Sequence, residues 1–260
     1  MATKDALIGG VEVAYDYEAS RDRVEEILSS KTEIVKKDKI PSNDDEFTYS
    51  NGIKSWVGAI FIDIVGSSNL CKSADENTAR IFRAFCSEII AILKENPNYR
   101  QIGIRGDCVY SINTTPKQGD LVEMFITAAR IHTFMNMFRK LLEMHGYKPI
   151  KAGIGLGCSE DLIVKAGQSG SGINDKIWIG KAVVEASHLG DIAYRNGIEP
   201  IAMSPLFYEN VHELLEKRNE GYKTWIKPHK DNPYSYYSSI DFYHCDVVIT
   251  DFDKWINNIE

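Results

Sequence analysis

Apolar and polar residues recur along the chain with two different periods, which divide it into predicted strands and helices. Apolar runs rich in Val, Ile and Phe are typical of buried strands, and apolar residues three and four positions apart are typical of helices that pack on a core. The predicted strands cover residues 56–65, 101–105, 108–112, 151–156, 162–166, 199–203 and 235–243. The predicted helices cover residues 20–28, 76–96, 120–145, 180–195, 205–218 and 251–259. In chain order, these elements predict an α+β fold, a mostly antiparallel sheet with helices packed on it.

Polar residues and glycines indicate where the first three predicted helices begin and end. Ser20 is expected to cap the first helix, and Ser73 with Glu76 fits a capping box at the start of the second. Asp120 is expected to cap the third helix, which Gly146 ends.

The first 50 residues are polar and only loosely patterned. We therefore expect one domain over residues 51–260, preceded by an N-terminal arm at residues 1–50 that packs on it or on a second copy. The Gly-rich run at residues 167–172 lacks the Lys-Ser/Thr ending of a phosphate-binding loop, so we expect a hairpin tip there.

Asp63 stands inside the longest apolar run, between Ile62 and Ile64, where turn formation does not explain an acid. A buried carboxylate is unfavourable unless a partner compensates its charge. The run then ends in Gly66–Ser68, small residues whose backbone N–H groups can approach a phosphate closely. Asp63 is therefore a candidate ligand of a cation.

A second acid, Asp107, lies at the tip of the predicted hairpin, directly after Gly106. Asp in a Gly-Asp turn is common for backbone reasons alone, and this remains the alternative. Two carboxylates at strand ends suit hard divalent cations such as Mg²⁺ or Mn²⁺. The pair predicts a metal site, and a basic side chain that neutralised Asp63 would argue against it.

Composition narrows the class of protein. The 260 residues carry a formal net charge of −7 and contain no Lys/Arg block, which argues against nucleic acid or an anionic membrane as the main partner. The five cysteines are scattered and form no C-x-x-C pair, which indicates reduced thiols in a cytoplasmic protein. No signal peptide or membrane-spanning run is visible, so we expect no membrane-bound or receptor-type protein.

Four motifs, in order, resemble those of the class III nucleotide cyclases. FIDIVGSS at residues 61–68 resembles the family's F-x-D-I-x-G-F-T stretch, and IRGDCVYSI at residues 104–112 resembles its G-D-x-x-Y hairpin. KAGIGLG at residues 151–157 resembles its G-I-x-x-G strand. IVKAG at residues 163–167 and IWIGKAVVEASHL at residues 177–189 follow its V-x-A-G and G-x-x-V-N-x-A-x-R-L order. The resemblance covers roughly residues 55–245 and implies the family's ferredoxin-like fold.

The resemblance implies a reaction and a set of site residues. A nucleoside triphosphate would be cyclised to a 3′,5′-cyclic monophosphate and pyrophosphate with two divalent cations, Mg²⁺ or Mn²⁺. Asp63 and Asp107 would bridge the cations, and the Ile64 carbonyl would complete one coordination shell. The phosphates would be bound by the backbone of Val65, Gly66, Ser67 and Ser68. The active sites would lie at the interface of a homodimer.

Four positions depart from the family's pattern. Its purine enzymes carry Lys or Glu where this chain has Gly103, and a second base-reading residue, often Asp, Thr or Cys, where it has Ile177. The family's transition-state Asn and Arg align with Val184 and His188. His188 could still donate a hydrogen bond in catalysis, although a surface histidine fits equally well.

Other residues could compensate for the missing groups. Arg105 is a candidate triphosphate or base contact, and Lys227 and Lys230 could replace the family's C-terminal phosphate-binding Lys. Trp56 or Tyr49 could stack on a base.

These departures leave three functional hypotheses open. The site fits a smaller base, which resembles the stand-alone pyrimidine cyclases of bacterial Pycsar antiphage systems. That reading predicts UTP or CTP as substrate, with cyclic UMP favoured over cyclic CMP, and a separate effector protein that responds to the product. The alternatives are an adenylate or guanylate cyclase, and a non-catalytic cyclase-like module that binds nucleotide or a partner. Retention of both acids favours an enzyme. That prediction falls if the two carboxyl groups point away from each other or if a basic side chain neutralises Asp63.

Overall fold

The computed structural model describes residues 15–219, 221–230 and 241–259, and within them one nine-stranded mixed sheet forms the centre of the molecule. The strands are β1 (Glu33–Lys36), β2 (Asn51–Ile64), β3 (Tyr99–Arg105), β4 (Cys108–Thr114), β5 (Ala152–Gly167), β6 (Asn174–Ile179), β7 (Ile201–Met203), β8 (Lys227–His229) and β9 (Phe242–Cys245). Seven helices accompany them in the described part of the chain. The helices are α1 (Tyr17–Ser29), α2 (Ser67–Leu70), α3 (Glu76–Lys94), α4 (Gln118–Met144), α5 (Lys181–Ile192), α6 (Pro205–Arg218) and α7 (Thr250–Asn257).

The main path of the sheet has the order β3-β4-β2-β5-β7-β9-β8, with β1 added to β2 and β6 added to β5. Only the β1–β2 and β5–β7 pairs are parallel, and the other six pairs are antiparallel. The expected mostly antiparallel α+β fold is therefore confirmed.

Alternation along β2 separates two apolar layers. Ile60, Ile62 and Ile64 belong to the large core cluster that the sheet forms with α3, α4 and α6. Val57 and Ala59 point the other way and belong to a smaller cluster with α5. The side chain of Asp63 shares this second face, so α5 and not α3 or α4 is the helix beside it.

The core begins before residue 51. β1 pairs with β2, and Ile40 and Phe47 are 1% and 2% exposed within the α5-side cluster. By contrast, α1 buries none of its residues. A domain boundary at residue 50 would therefore cut through the core, because the chain before β2 already supplies a strand and two core side chains.

Several helix caps differ from the expected ones. Asp16, not Ser20, caps α1 by accepting from the Ala19 N–H. Asp75, not Ser73, caps α3, because its carboxylate accepts from the Thr78 N–H at 2.8 Å. Asp120 lies in the first turn of α4, where its carboxylate accepts from the backbone N–H of Lys117.

The strands after α4 also differ. The two runs predicted at residues 151–156 and 162–166 are one continuous strand, β5, and the hairpin tip expected at residues 167–172 joins it to the unpredicted β6. The strand predicted at residues 235–243 lies mostly outside the described residues, and β9 covers its end.

All five cysteines are free, as expected. Among the described residues, no helix is long and apolar enough to cross a membrane.

Candidate active site

Asp63 is the penultimate residue of β2, and its side chain is 20% exposed. Burial raises the pKa of its carboxyl, a hydrogen bond from Arg195 lowers it, and the nearby charge of Asp107 raises it further. The net direction is upward. The protein therefore holds this acid in an environment that disfavours its charge unless a cation is close.

Asp107 reaches the same place through the β3–β4 hairpin. The turn is tight because Gly106 adopts a left-handed conformation with φ of 62°. Cys108 lies directly opposite Asp63 in the β2–β4 ladder, so Asp107, one residue earlier, adjoins the end of β2. The structure thus brings together two acids that are 44 positions apart in the sequence.

Arg195, which follows α5, is the basic partner of Asp63. Its guanidinium donates to the Asp63 carboxylate at 2.7 Å and to the Ile64 carbonyl at 3.3 Å. The same side chain donates to the carbonyls of Gly190 and Ala193 at 3.2 and 3.1 Å. This is the neutralising contact that the sequence argument set against a metal site, and it involves the two groups expected to hold a cation.

Three rows of side chains cross β2, β4 and β3 on the Asp63 face. Read from β2 to β3, the rows are Asp63–Cys108–Arg105, Phe61–Tyr110–Gly103 and Ala59–Ile112–Gln101. Neighbouring rows are about 7 Å apart along the strands. Arg105 therefore shares a row with Asp63, two strands away, as a candidate contact for a charged substrate should.

A cavity of about 220 Å³ lies over these rows. Its floor includes Phe61, Tyr110 and Gln101, and β6 and α5 contribute Trp178 and Val183 to its walls. Arg105 and Ile177 also line it. Gly103 and Ile177 stand at the two positions where the family's purine enzymes carry base-reading side chains. Ile177 lines this cavity, and Gly103 lies next to it beneath the Tyr110 ring.

The turn after β2 fits only part of its predicted role. Gly66 is left-handed with φ of 70° and precedes the four-residue helix α2. The N–H groups of Ser67 and Ser68 open that helix, where no carbonyl one turn earlier is available to them. The Val65 N–H, however, already donates to the Lys151 carbonyl at 2.8 Å, so it is not a phosphate donor in this conformation.

The two aromatic residues proposed to stack on a base lie away from Asp63 within one chain. Trp56 is seven residues earlier in β2, about 23 Å along the strand, and alternation turns it to the opposite face. Tyr49 precedes β2 at its far end, where the Lys165 ammonium lies 5.5 Å from its ring centroid. Aromatic stacking on a base would fall to Phe61 or Tyr110 instead.

His188 and Lys227 are also apart from the acids. His188 is exposed on α5, on the same side of the helix as the exposed Val184. The Lys227 ammonium pairs with the Glu199 carboxylate at 2.5 Å. Its charge is therefore already balanced without a substrate phosphate. Neither side chain contacts Asp63 in the described part of the chain.

Sequence reasoning missed Arg195, Gln101 and Trp178 as site residues. Arg195 pairs with an acid 132 positions earlier, and no local motif marks it. The signal for Gln101 was available, because a strand residue two positions before Gly103 must share its face. Trp178 was hidden because β6 was not predicted.

The donor set limits which cation could bind. Among the described residues there is no cluster of three or more His, Cys, Asp or Glu side chains suited to a metal. The site offers two carboxylates and the Ile64 carbonyl, all hard oxygen donors of the kind that Mg²⁺ and Mn²⁺ accept alongside substrate phosphates and water. Arg195 contacts one carboxylate and this carbonyl, which shows that the pair can be bridged by a positive group. The residues fit such ions if Arg195 moves.

No family model matches the chain. It is, however, 38% identical to the uridylate cyclase of Treponema porcinum over 244 residues, which cover 94% of this chain and 81% of the relative. It is 30% identical to the uridylate cyclase of Gulbenkiania mobilis over 232 residues, covering 85% of this chain and 90% of the relative.

Solved structures agree on the fold. The adenylyl cyclase CyaB of P. aeruginosa superimposes with a TM-score of 0.59 at 18% identity, over 75% of this chain and 95% of that one. As evidence about function, the similarity to the two curated relatives outweighs the pairing of Asp63 with Arg195.

Proposed function

The chain belongs to the uridylate cyclases of the class III nucleotide cyclase family, and on this premise we propose that it converts UTP into 3′,5′-cyclic UMP and pyrophosphate. Pyrimidine nucleotide cyclisation is the activity common to its curated relatives. The observation that carries the proposal is the meeting of Asp63 and Asp107 at the ends of paired strands. The cavity over Phe61 and Tyr110, which Arg105 also lines, would receive part of the nucleotide.

Two divalent cations, Mg²⁺ or Mn²⁺, belong to this proposal. Asp63, Asp107 and the Ile64 carbonyl would hold them. Bound there, such ions would acidify the ribose 3′-hydroxyl and offset the charge of the triphosphate.

The chain's own groups position the reactants. The 3′-oxygen forms a bond to the α-phosphorus, the bond from that phosphorus to the β-phosphate oxygen breaks, and the hydroxyl proton is lost to water as pyrophosphate leaves. Ser67 and Ser68 would donate backbone N–H groups to phosphate oxygens, and Arg105 would neutralise part of the triphosphate charge. Positioning and charge stabilisation account for most catalysis in phosphoryl transfer, so no dedicated side-chain base is required.

We propose that the enzyme acts as a homodimer. Apolar side chains on β6 and α5, the elements that contribute walls to the cavity, are exposed in the single chain: Ile177 by 48%, Ile179 by 52% and Val184 by 66%. Exposed apolar residues grouped in this way are typical of an interface. A second copy on this surface would also cover the side of α5 that carries His188, which keeps that residue a candidate hydrogen-bond donor to the partner's nucleotide.

The product would be a diffusible signal in the cytoplasm, read by a separate effector protein, in antiphage defence. The free cysteines support a reducing compartment.

Incubation with each of the four nucleoside triphosphates and Mn²⁺, followed by mass analysis of the products, tests the function. We expect cyclic UMP from UTP. Cyclic CMP, cyclic AMP or cyclic GMP as the main product, or no cyclic nucleotide at all, would contradict the proposal.

The same assay tests the two acids. Asp63→Asn and Asp107→Asn should each lower turnover at least about a hundredfold, because charge stabilisation of several kcal/mol is lost with a bridging ligand. Asp251→Asn is the matched control, since that side chain is 98% exposed on α7. Residual activity above about one per cent in either acid variant, with the fold intact by circular dichroism, would show that the acid is not a metal ligand.

A further inference from the structure

The ring of Tyr110 fills the space that a side chain at residue 103 would need. A Cβ atom built on Gly103 would lie 2.5 Å from the Tyr110 ring and hydroxyl. The ring is stacked on Phe61, with centroids 5.2 Å apart and planes inclined by 13°. A side chain at position 103 would therefore have to displace a packed aromatic ring. The position of the Tyr110 ring thus depends on the glycine at residue 103.

Gln101, in the next row, presents a side-chain amide to the cavity. Its Oε1 accepts from the Trp178 indole N–H at 3.0 Å, and its Nε2 donates to the Tyr110 hydroxyl at 3.3 Å. Trp178 can only donate a hydrogen bond, so it fixes which end of the amide carries the oxygen. One lone pair of Oε1 and one hydrogen of Nε2 remain available in known positions.

A fixed amide can distinguish the two pyrimidines. Uracil presents an acceptor at O4 beside a donor at N3, whereas cytosine presents a donor at N4 beside an acceptor at N3. An amide that could rotate would serve either base by exchanging its donor and acceptor. An amide held by Trp178 forms two hydrogen bonds with one of the bases. Toward the other base it places its donor opposite a donor and its acceptor opposite an acceptor.

We propose that Gln101 reads the base of the nucleotide and that Trp178, by fixing the Gln101 amide, makes the enzyme select uracil over cytosine. This rests on the proposed function, which supplies uracil as the base. Gln101 is the specificity-determining residue, and Trp178 is a positioning residue that acts through it. Phe61 and Tyr110 form the floor on which the ring of the base would lie.

The test measures kcat/KM for UTP and for CTP in the full-length protein with Mn²⁺. Trp178→Phe keeps an aromatic ring but removes the N–H, so we expect the UTP-to-CTP ratio to fall about tenfold, chiefly through improved use of CTP. Gln101→Glu offers only acceptors when ionised and should shift the ratio toward CTP, whose N4 group donates. Gln101→Ala should lower kcat/KM for UTP about tenfold or more. Trp225 is a partly buried tryptophan that packs against the large core cluster, and Trp225→Phe is the matched control.

The outcomes separate the two proposals. If the wild-type chain makes no cyclic UMP, the proposed function fails. If it makes cyclic UMP while Trp178→Phe and Gln101→Glu keep the wild-type ratio, only the inference about Gln101 fails. Equal loss with UTP and CTP in both variants would assign Gln101 and Trp178 a structural role and would also overturn it.

Discussion

The Arg195 guanidinium links the end of β2 to the end of α5. It contacts Asp63 and the Ile64 carbonyl on β2, and it satisfies the Gly190 and Ala193 carbonyls where α5 ends. Backbone carbonyls at a helix C-terminus attract cations, so Arg195 is held from both sides. A metal ion that used Asp63 and the Ile64 carbonyl would compete with it directly.

This competition predicts how the free protein binds metal. In Arg195→Met, we expect Mn²⁺ to bind roughly five- to tenfold more tightly in the absence of nucleotide, since a competing charged hydrogen bond worth about 1 kcal/mol is removed. Titration calorimetry with Mn²⁺ measures this without reference to turnover.

Arg130→Met removes a partly exposed arginine that pairs with Glu95 at 2.5 Å. It serves as the control, and its affinity for Mn²⁺ should be unchanged. Equal or weaker Mn²⁺ binding by Arg195→Met would mean that the arginine does not compete for the metal position.

For single residues, the sequence indicates a functional role only where the residue is unusual among its neighbours in the chain. Asp63 was recognisable because an acid inside a Val/Ile/Phe run has no local explanation. Arg195 was not, because an arginine after a helix is ordinary until the fold brings it to Asp63. The same holds for Gln101 and Trp178, 77 positions apart, which become meaningful only as a hydrogen-bonded pair.

Among the elements, β5 and α5 are in the closest contact on the site face of the sheet. Gly153, Gly155 and Gly157 lie opposite Asp63, Phe61 and Ala59 in the β2–β5 ladder. Cβ atoms at these three positions would overlap backbone atoms of α5 or the residue just after it. The alternating glycines therefore allow the helix to lie directly on the sheet, which places Arg195 within reach of Asp63.

Gly155→Ala tests this packing. The new methyl group would overlap the Ala186 carbonyl and the Gly190 N–H, and backbone atoms cannot turn aside as a side chain can. We expect the free energy of unfolding to fall by roughly 1–3 kcal/mol or more, as for overpacked cores, and cyclase activity to fall with it. Urea unfolding measures the first effect.

Gly119→Ala is the control, because nothing lies within 4 Å of a Cβ atom at that position in the first turn of α4. It should leave stability unchanged or slightly raised, since Ala favours helix. Equal stability of the two variants would show that α5 does not rest on these glycines.

Element prediction failed where buried polar residues interrupt an apolar pattern. Ser159 and Asp161 lie between the two predicted strands, yet both are buried within the continuous strand β5. The Ser159 hydroxyl donates to Asp161 and accepts from the N–H groups of Lys181 and Ala182, so these polar residues hold the start of α5. Their role depends on a helix 20 residues later, which no local period reveals. The helices with clear apolar stripes were placed within a few residues.

For the whole molecule, the sequence predicts the fold class but not where the domain begins. Segment 33–47 is polar enough to resemble an arm, and only its pairing with β2 shows that it belongs to the sheet. The Ile40 N–H donates to the Thr114 hydroxyl at 2.9 Å, and the Ile40 carbonyl accepts from Arg100 at 2.8 Å. These contacts join the segment to β3 and to the end of β4, on the same sheet that carries Asp107.

Two isoleucines on either side of this boundary give a matched comparison. Ile40 is 1% exposed, whereas Ile27 on α1 is 69% exposed. Ile40→Ala should lower the free energy of unfolding by about 2–5 kcal/mol, because it leaves a cavity in the α5-side core, and Ile27→Ala should change it by less than about 0.5 kcal/mol. Urea unfolding of both variants at one protein concentration provides the measurement. If Ile40→Ala were as stable as Ile27→Ala, residues before β2 would be an arm after all, and the domain would begin at residue 51. The expected difference would instead make segment 33–47 part of the domain that positions the acids.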